Sequence, residues 1–166
     1  MVEITRQNPS DEAAIEDLLD RAFGRERLAR PSYRLRQGID AVAGLGFVAR
    51  HGDKLVATLR FWPVVIGATA TPALLLGPLA VDEAYRRRAI ASSLIRRGLD
   101  EAQEADHHRI VAAVGTLGLF GRFGFMAAAP LGLVMPGLAD TNRLLAHALV
   151  PGALEGVAGC LGPLCD

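Results

Sequence analysis

The spacing of apolar and polar residues along the first third of the chain predicts a strand followed by two helices. Residues 2–5 alternate like a short strand, and residues 8–12, Asn-Pro-Ser-Asp-Glu, carry the cap, proline and acids of a helix start. Apolar residues then recur at helical spacing from Ile15 to Phe23, which predicts an amphipathic helix that ends at Gly24. A second, more polar helix is expected after Pro31.

The middle of the chain predicts several strands and one further helix. Residues 47–50 and 55–61 flank a Gly52-Asp53 turn and are typical of a β-hairpin, and residues 64–66 and 73–81 predict another strand pair. An apolar helical stripe follows, made of Ile90, Leu94, Ile95, Gly98, Leu99 and Ala102. Residues 110–114 predict a buried strand that Gly115 ends.

The last third of the chain is less regular. It predicts a short segment over residues 116–124, an apolar strand around 125–135, a helix around 142–148 and a glycine-rich end, of which residues 160–166 are expected to be a flexible tail. The alternation of elements indicates an α/β or α+β fold with a mixed central sheet. At 166 residues the chain favours one domain over residues 1–166.

Residues 61–81 contain no Asp, Glu, Lys or Arg, and on length alone they could span a membrane. Three prolines and two glycines interrupt this run, so two buried strands joined by a turn fit better than a spanning helix. The first residues are polar and lack the apolar core of a signal peptide. We therefore expect a cytoplasmic protein that does not enter a membrane.

Composition narrows the function classes. The chain is 51% hydrophobic and 22% charged, which excludes disorder over most of its length. Its 18 basic and 18 acidic residues cancel, so a nucleic-acid partner that needs a wide basic face is not expected. Cys160 and Cys165 have no histidine cluster near them and are interpreted as free thiols, with a disulfide or half a metal site as alternatives; no metal site is predicted.

Two arginine-rich stretches are candidates for anion binding. Arg86, Arg87 and Arg88 follow an uncharged strand and precede a helix start, where unpaired backbone N–H groups can hold a phosphate. The alternative is a solvated first helical turn. Residues 25–36 also carry five arginines, which could border a ligand cleft or form a solvated helix face.

Residues 77–95 resemble the acetyl-coenzyme A (acetyl-CoA) loop of the GNAT superfamily of N-acetyltransferases. That loop has Gln or Arg, two residues, Gly, one residue, then Gly or Ala; here Arg86, Ala89 and Ala91 take the three defined places. Residues 121–125, Gly-Arg-Phe-Gly-Phe, are similar to a motif of one bacterial branch, and residues 149–156 resemble that branch's C-terminal strand. The likeness runs from about residue 4 to 159.

The resemblance implies a GNAT fold, with a mixed, mostly antiparallel sheet of six or seven strands and about four helices. The strand that ends at Val81 would splay from its neighbour after Val114, and the pantetheine arm of the cofactor would enter the gap. The implied cofactor-binding residues are Leu79, Ala80, Val81, Arg86, Arg87, Arg88, Ala89, Ile90, Ala91 and Ser92.

The implied activity is transfer of an acetyl group from acetyl-CoA to an amine by direct attack. The backbone N–H of Leu79 would stabilise the oxyanion, and Glu155 is the candidate base. Leu119 and Phe120 stand where the branch has two tyrosines, so its usual general acid is missing. Two alternatives remain open: a non-catalytic module that binds coenzyme A (CoA), and a degenerate GNAT protein with an interaction role. The uncharged residues 131–139 also suggest a homodimer.

Overall fold

A long hairpin of two neighbouring strands lies at the centre of the sheet. The computed structural model describes residues 1–163. In chain order the strands are β1 (Val2–Arg6), β2 (Gly46–His51), β3 (Lys54–Ile66), β4 (Thr71–Val81), β5 (Ile110–Val114), β6 (Met126–Ala127), β7 (Leu133–Val134), β8 (Leu144–Ala148) and β9 (Gly159–Pro163). The α-helices are α1 (Glu12–Phe23), α2 (Pro31–Arg36), α3 (Ile90–Glu104) and α4 (Leu117–Phe120).

The strands join in the order β1-β2-β3-β4-β5-β8-β6, and β9 pairs with both β3 and β7. The pairs β4–β5 and β7–β9 are parallel and the others are antiparallel. This mixed, mostly antiparallel sheet with α-helices confirms the fold class expected from the sequence. The parallel pair at its centre matters most for function, because it requires a crossover, which α3 supplies.

The uncharged run at residues 61–81 forms the end of β3, a turn and β4, as predicted. Phe61 is fully buried, and Leu74 and Leu75 are each only 1% exposed. The two strands predicted at 55–61 and 64–66 are a single strand, because pairing with β4 continues across Pro63, which lies opposite Leu74. Within residues 1–163, no helix is both long enough and apolar enough to cross a membrane.

Helix α3 packs closely on the face of the hairpin. Its apolar stripe is buried as predicted, and a Cβ atom added to Gly98 would lie 2.6 Å from Cε1 of Phe61. Real Cβ atoms do not approach a ring carbon so closely, so only glycine lets the helix sit this near the sheet. The close packing fixes α3 beside β4 and thereby positions the loop that joins them.

Two predictions for the region after β5 are wrong. The helix expected around 142–148 is strand β8, whose Leu144, Leu145 and Ala146 are buried between β5 and β6. The single strand expected around 125–135 is replaced by β6 and β7, separated by a 3₁₀ turn over Ala129–Leu131. Pairing with β5 overrides the local helical pattern in the first case, and Pro130 with the following glycine interrupts the strand in the second.

The C-terminal segment also differs from expectation. Residues 149–156 form turns rather than a strand. Residues 160–163 are not a tail but belong to β9, in which Leu161 is 1% exposed and lies opposite Ile66 of β3. Cys160 is an exposed free thiol. Cys165, and the tail prediction for residues 164–166, lie outside the described residues.

Candidate functional site

The parallel strands β4 and β5 separate at one end and leave a cavity between them. Their pairing covers Leu74 to Leu76 of β4, and the last pair is Leu76 with Ala113. Beyond it, a cavity of about 700 Å³ is lined by the free ends of both strands and by α4. The segment that joins α1 to α2 forms another part of the cavity wall. The splay expected after Val114 is therefore present.

The free edge of β4 carries backbone donors that face this gap. Asp82 N donates to Val56 O at 2.7 Å, which makes that pair a hydrogen-bonded one in the β3–β4 ladder. Antiparallel pairs alternate, so Leu79 and Val81, at non-hydrogen-bonded positions opposite Leu59 and Ala57, direct their N–H groups away from β3. Their donors point to the β5 side, where strand pairing has already ended.

A bulge lies just before Leu79. Arg60 of β3 stands opposite two residues, Gly77 and Pro78, because its neighbours pair with Leu76 and Leu79. The Gly77 carbonyl accepts a hydrogen bond from Nε1 of Trp62 at 2.7 Å, and Pro78 has no N–H. Leu79 is therefore the first residue after the bulge with a backbone donor on the cavity edge.

The loop between β4 and α3 ends in a strained turn. Arg87 and Ala89 both have left-handed backbone, with φ of 65° and 60°. The first helical bond of α3 runs from Ser93 N to Ala89 O at 3.0 Å, so the N–H groups of residues 90–92 precede the helical ladder. These donors and the exposed Arg86, Arg87 and Arg88 form one positive surface, which we call the arginine loop.

Asp82 anchors the start of the arginine loop. Its buried carboxylate accepts hydrogen bonds from Arg21 Nη1 at 2.9 Å and from the backbone of Ala84 at 3.0 Å. These two bonds, the one from Arg21 first, lower the pKa of Asp82 below its ordinary value. The carboxylate therefore stays ionised at neutral pH and ties the loop to α1.

The left-handed backbone of Ala89 predicts that its replacement by glycine stabilises the protein. A left-handed conformation costs an alanine about 1–2 kcal/mol, and the greater freedom of glycine in the unfolded chain offsets part of the gain. We expect Ala89→Gly to raise the free energy of unfolding by about 0.5–1 kcal/mol in urea titrations. The matched variant Ala91→Gly, inside α3, should lower it by a similar amount. Equal signs for the two variants would contradict the strain at Ala89.

The sequence-predicted site residues do not all meet at the cavity. Leu79 lines it and is half-buried, whereas Ala80 and Ile90 are buried in the core. Glu155 is exposed in a surface turn and borders a separate depression with Leu154, so the structure does not bring this candidate base to the gap.

The tyrosines lie outside the cavity wall. Leu119 and Phe120 line the cavity, and neither Tyr33 nor Tyr85 does. The Tyr85 hydroxyl lies 2.7 Å from Nδ1 of His51, beside the arginine loop. Among the described residues that line the cavity, none is Asp, Glu, His, Cys, Tyr or Lys. The wall thus offers no side chain of the usual acid–base types.

Four arginines line the cavity instead: Arg27, Arg30, Arg36 and Arg143. The first three come from the arginine-rich stretch for which a cleft and a solvated face were the two interpretations, and the structure supports the cleft for these three. Arg34 of the same stretch is exposed and does not line the cavity. Arg143 is not a candidate from the sequence, because it precedes a strand whose pattern predicts a helix.

Comparisons with known proteins agree with this geometry. The model of the Acetyltransferase (GNAT) family matches residues 12–125. The uncharacterised N-acetyltransferase YhbS of Escherichia coli K12 is 34% identical over 155 residues, which cover 91% of this chain and 89% of that protein. The chain belongs to the GNAT family of acetyltransferases.

Two solved structures are similar to this one. The crystal structure of Escherichia coli YhbS in complex with CoA has a TM-score of 0.80 at 30% identity and covers 98% of this chain and 89% of that chain. A GNAT family acetyltransferase from Brucella melitensis in complex with acetyl-CoA has a TM-score of 0.74 at 24% identity, covering 99% and 97%. The second likeness concerns the fold alone.

Proposed function

We propose that this protein transfers the acetyl group of acetyl-CoA to the amine of an acceptor by direct attack. The observation that carries the proposal is the free edge of β4, where the Leu79 and Val81 N–H groups face the gap left by β5. The relative YhbS, whose crystal structure is a complex with CoA, supports this assignment.

Acetyl-CoA would contact the chain in two places. The pantetheine arm carries amide groups that can pair with the backbone of Leu79 and Val81 as an added strand would. The pyrophosphate would bind the N–H groups of residues 87–91 and the arginine loop, with the side chains of Arg86 to Arg88 and Ser92 around it. The left-handed Ala89 keeps its N–H available for this role, although a glycine is expected at that place in the family pattern.

The proposed step forms one bond and breaks one. The amine nitrogen attacks the thioester carbonyl carbon, the C–N bond forms, and the C–S bond breaks to release CoA as a thiolate. The amine loses a proton, which is accepted by solvent or by the thiolate. In the tetrahedral intermediate the oxygen carries negative charge, and the Leu79 N–H is the backbone donor that stabilises it.

The arginines of the cavity can replace the missing acid and base in part. Positive charge nearby lowers the pKa of a bound ammonium, so that a larger fraction of the acceptor is the neutral, attacking amine. It also stabilises the departing thiolate of CoA. We therefore infer that this chain works without the tyrosine general acid of the branch that it resembles.

A second candidate function is binding of CoA without transfer. The apolar Leu119 and Phe120 at the tyrosine positions favour it, because general acid catalysis typically contributes about 10²- to 10⁴-fold to the rate.

The test is calorimetry with CoA and acetyl-CoA, followed by measurement of thiol release with a panel of amines. The proposed function predicts binding of both compounds and thiol release that depends on the amine. Binding with no release above spontaneous hydrolysis would favour the non-catalytic module. Absence of binding would overturn both.

A further inference from the structure

Three of the four arginines that line the cavity have no carboxylate partner. Within the described residues, Arg30, Arg36 and Arg143 line the cavity and take part in none of the salt bridges. Arg27 differs, because its guanidinium is bound to Glu16 at 2.6 Å and Asp20 at 3.2 Å. We call the three unpaired residues the cavity arginines.

The carboxylates of nearby α1 are already committed to other cations. Glu12 binds Arg60 at 2.5 Å, while Glu16 and Asp20 bind Arg27. No aspartate or glutamate of residues 1–163 lines the cavity to offset the cavity arginines. The wall therefore carries an excess of positive charge, although the chain as a whole has none.

Arg36 is the most constrained of the cavity arginines. Its guanidinium carbon lies 5.3 Å from the centre of the Tyr33 ring and 5.5 Å from that of Trp62, so two aromatic rings hold it. Its Nε is buried and has no hydrogen-bond partner. Burial, and then the charges of Arg27 and Arg60, lower the pKa of Arg36 to about 10.

A half-buried cation with a buried donor atom that has no hydrogen-bond partner indicates a missing anion. Leaving such a group unpaired is costly, and an oxyanion that accepts its hydrogen bonds removes that cost. The planar guanidinium can bind a carboxylate or a phosphate through two parallel hydrogen bonds. The arginine loop is a separate surface, since none of Arg86 to Arg88 lines the cavity.

We infer that the acceptor is a primary amine that also carries an oxyanion, a carboxylate or a phosphate, and that Arg36 binds this oxyanion. The inference rests on the proposed transfer. The carboxylate or phosphate of the acceptor takes no part in the reaction. The amine nitrogen gains the acetyl group, CoA leaves as the thiolate, and the carboxylate or phosphate holds the acceptor in place. Arg30 and Arg143, which are exposed at the cavity wall, add long-range attraction.

The chain contains its own reporter of anion binding. Trp62 is the only tryptophan, and its ring lies against the guanidinium of Arg36. Its indole N–H donates a hydrogen bond to the carbonyl of Gly77 at the cavity wall. Titration with glutarate should therefore change the tryptophan fluorescence in a saturable way without acetyl-CoA. Cadaverine, which has the same number of carbons and two ammonium groups, should give no such change.

Substitutions in α2 provide the matched control. Arg36→Gln should abolish the response to glutarate, Arg36→Lys should weaken it, and Arg34→Gln, an exposed position on the same helix, should leave it unchanged. Arg143→Gln should weaken the response without touching Trp62. An equal response to cadaverine, or a full response in Arg36→Gln, overturns the anion site.

Kinetics then tests whether the anion belongs to the acceptor. The carboxylate arm uses β-alanine against β-alanine amide, and the phosphate arm uses phosphoethanolamine against ethanolamine, so the second member of each pair keeps the amine but has an uncharged group in place of the anion. We expect transfer to favour the member with the anion. Arg36→Gln should raise its KM about 10- to 100-fold and change kcat much less. Preference for the uncharged members, or a glutarate response without transfer to either anionic amine, overturns the inference. If the unaltered protein does not bind acetyl-CoA in calorimetry, the proposed function itself is overturned.

Discussion

Replacement of the peptide bond before Leu79 by an ester is expected to lower kcat about 10²- to 10³-fold, the usual effect of removing one oxyanion donor. The α-hydroxy analogue of leucine keeps the side chain and removes only the N–H. Because the uncharged carbonyl of the bound thioester accepts a weaker hydrogen bond than the oxyanion, the affinity for acetyl-CoA should fall less than about tenfold. Thiol release at saturating acetyl-CoA measures the first quantity and calorimetry the second.

The matched control is the same ester at Ala80. Thr58 and Ala80 form a hydrogen-bonded pair of the β3–β4 ladder, so the Ala80 N–H points to β3 and away from the gap. That ester should lower the free energy of unfolding by about 1 kcal/mol and leave kcat nearly unchanged. If both esters reduce kcat equally, the loss comes from the weakened ladder and Leu79 is not the donor.

Elements with strong periodicity could be predicted from the sequence. The stripe from Ile90 to Ala102 and the uncharged run at 61–81 form α3 and the central hairpin, because each buries one continuous apolar surface. The region after β5 could not be predicted in the same way. Leu144 to Ala148 has no period that separates helix from strand, and its place between β5 and β6 decides the outcome.

The candidate site divides along the same line. The proposed acetyl-CoA side of the site is local in sequence, since β4, the arginine loop and the start of α3 are continuous from Leu79 to Ser92. The acceptor side is assembled from separate segments, because Arg36 and Arg143 meet the cavity only through the packing of α2 and the segment before β8. Charge patterning alone could not distinguish Arg36, which lies in the cavity wall, from the exposed Arg34.

The same contrast explains the misplaced base. Glu155 is the candidate base from the sequence because residues 73–81 contain no carboxylate or histidine and Glu155 lies in the segment 149–156 that resembles a strand. These residues form turns at the surface instead. No aspartate or glutamate of residues 1–163 lines the gap, so the proposed reaction relies on the electrostatic effect of the arginines there.

Reversal of one charge in the arginine loop is expected to have the second largest effect. Arg88 is exposed, and its guanidinium carbon lies 5.0 Å from the centre of the Tyr85 ring. Among the described residues it forms no salt bridge with a carboxylate. Arg88→Glu removes a charge-assisted contact and adds repulsion toward the phosphates of CoA. We expect the Kd for CoA in calorimetry to rise about 100-fold at low salt.

The control for Arg88 is Arg109→Glu, which makes the same change in net charge. Arg109 is exposed and precedes β5, at the end of the strand opposite the gap, so its reversal should change the Kd for CoA less than about threefold. Because salt screens exposed charges, added salt should weaken CoA binding by the unaltered protein more than binding by Arg88→Glu. Equal affinities of the two variants would mean that only net charge matters, and the phosphates would then have to bind away from the arginine loop.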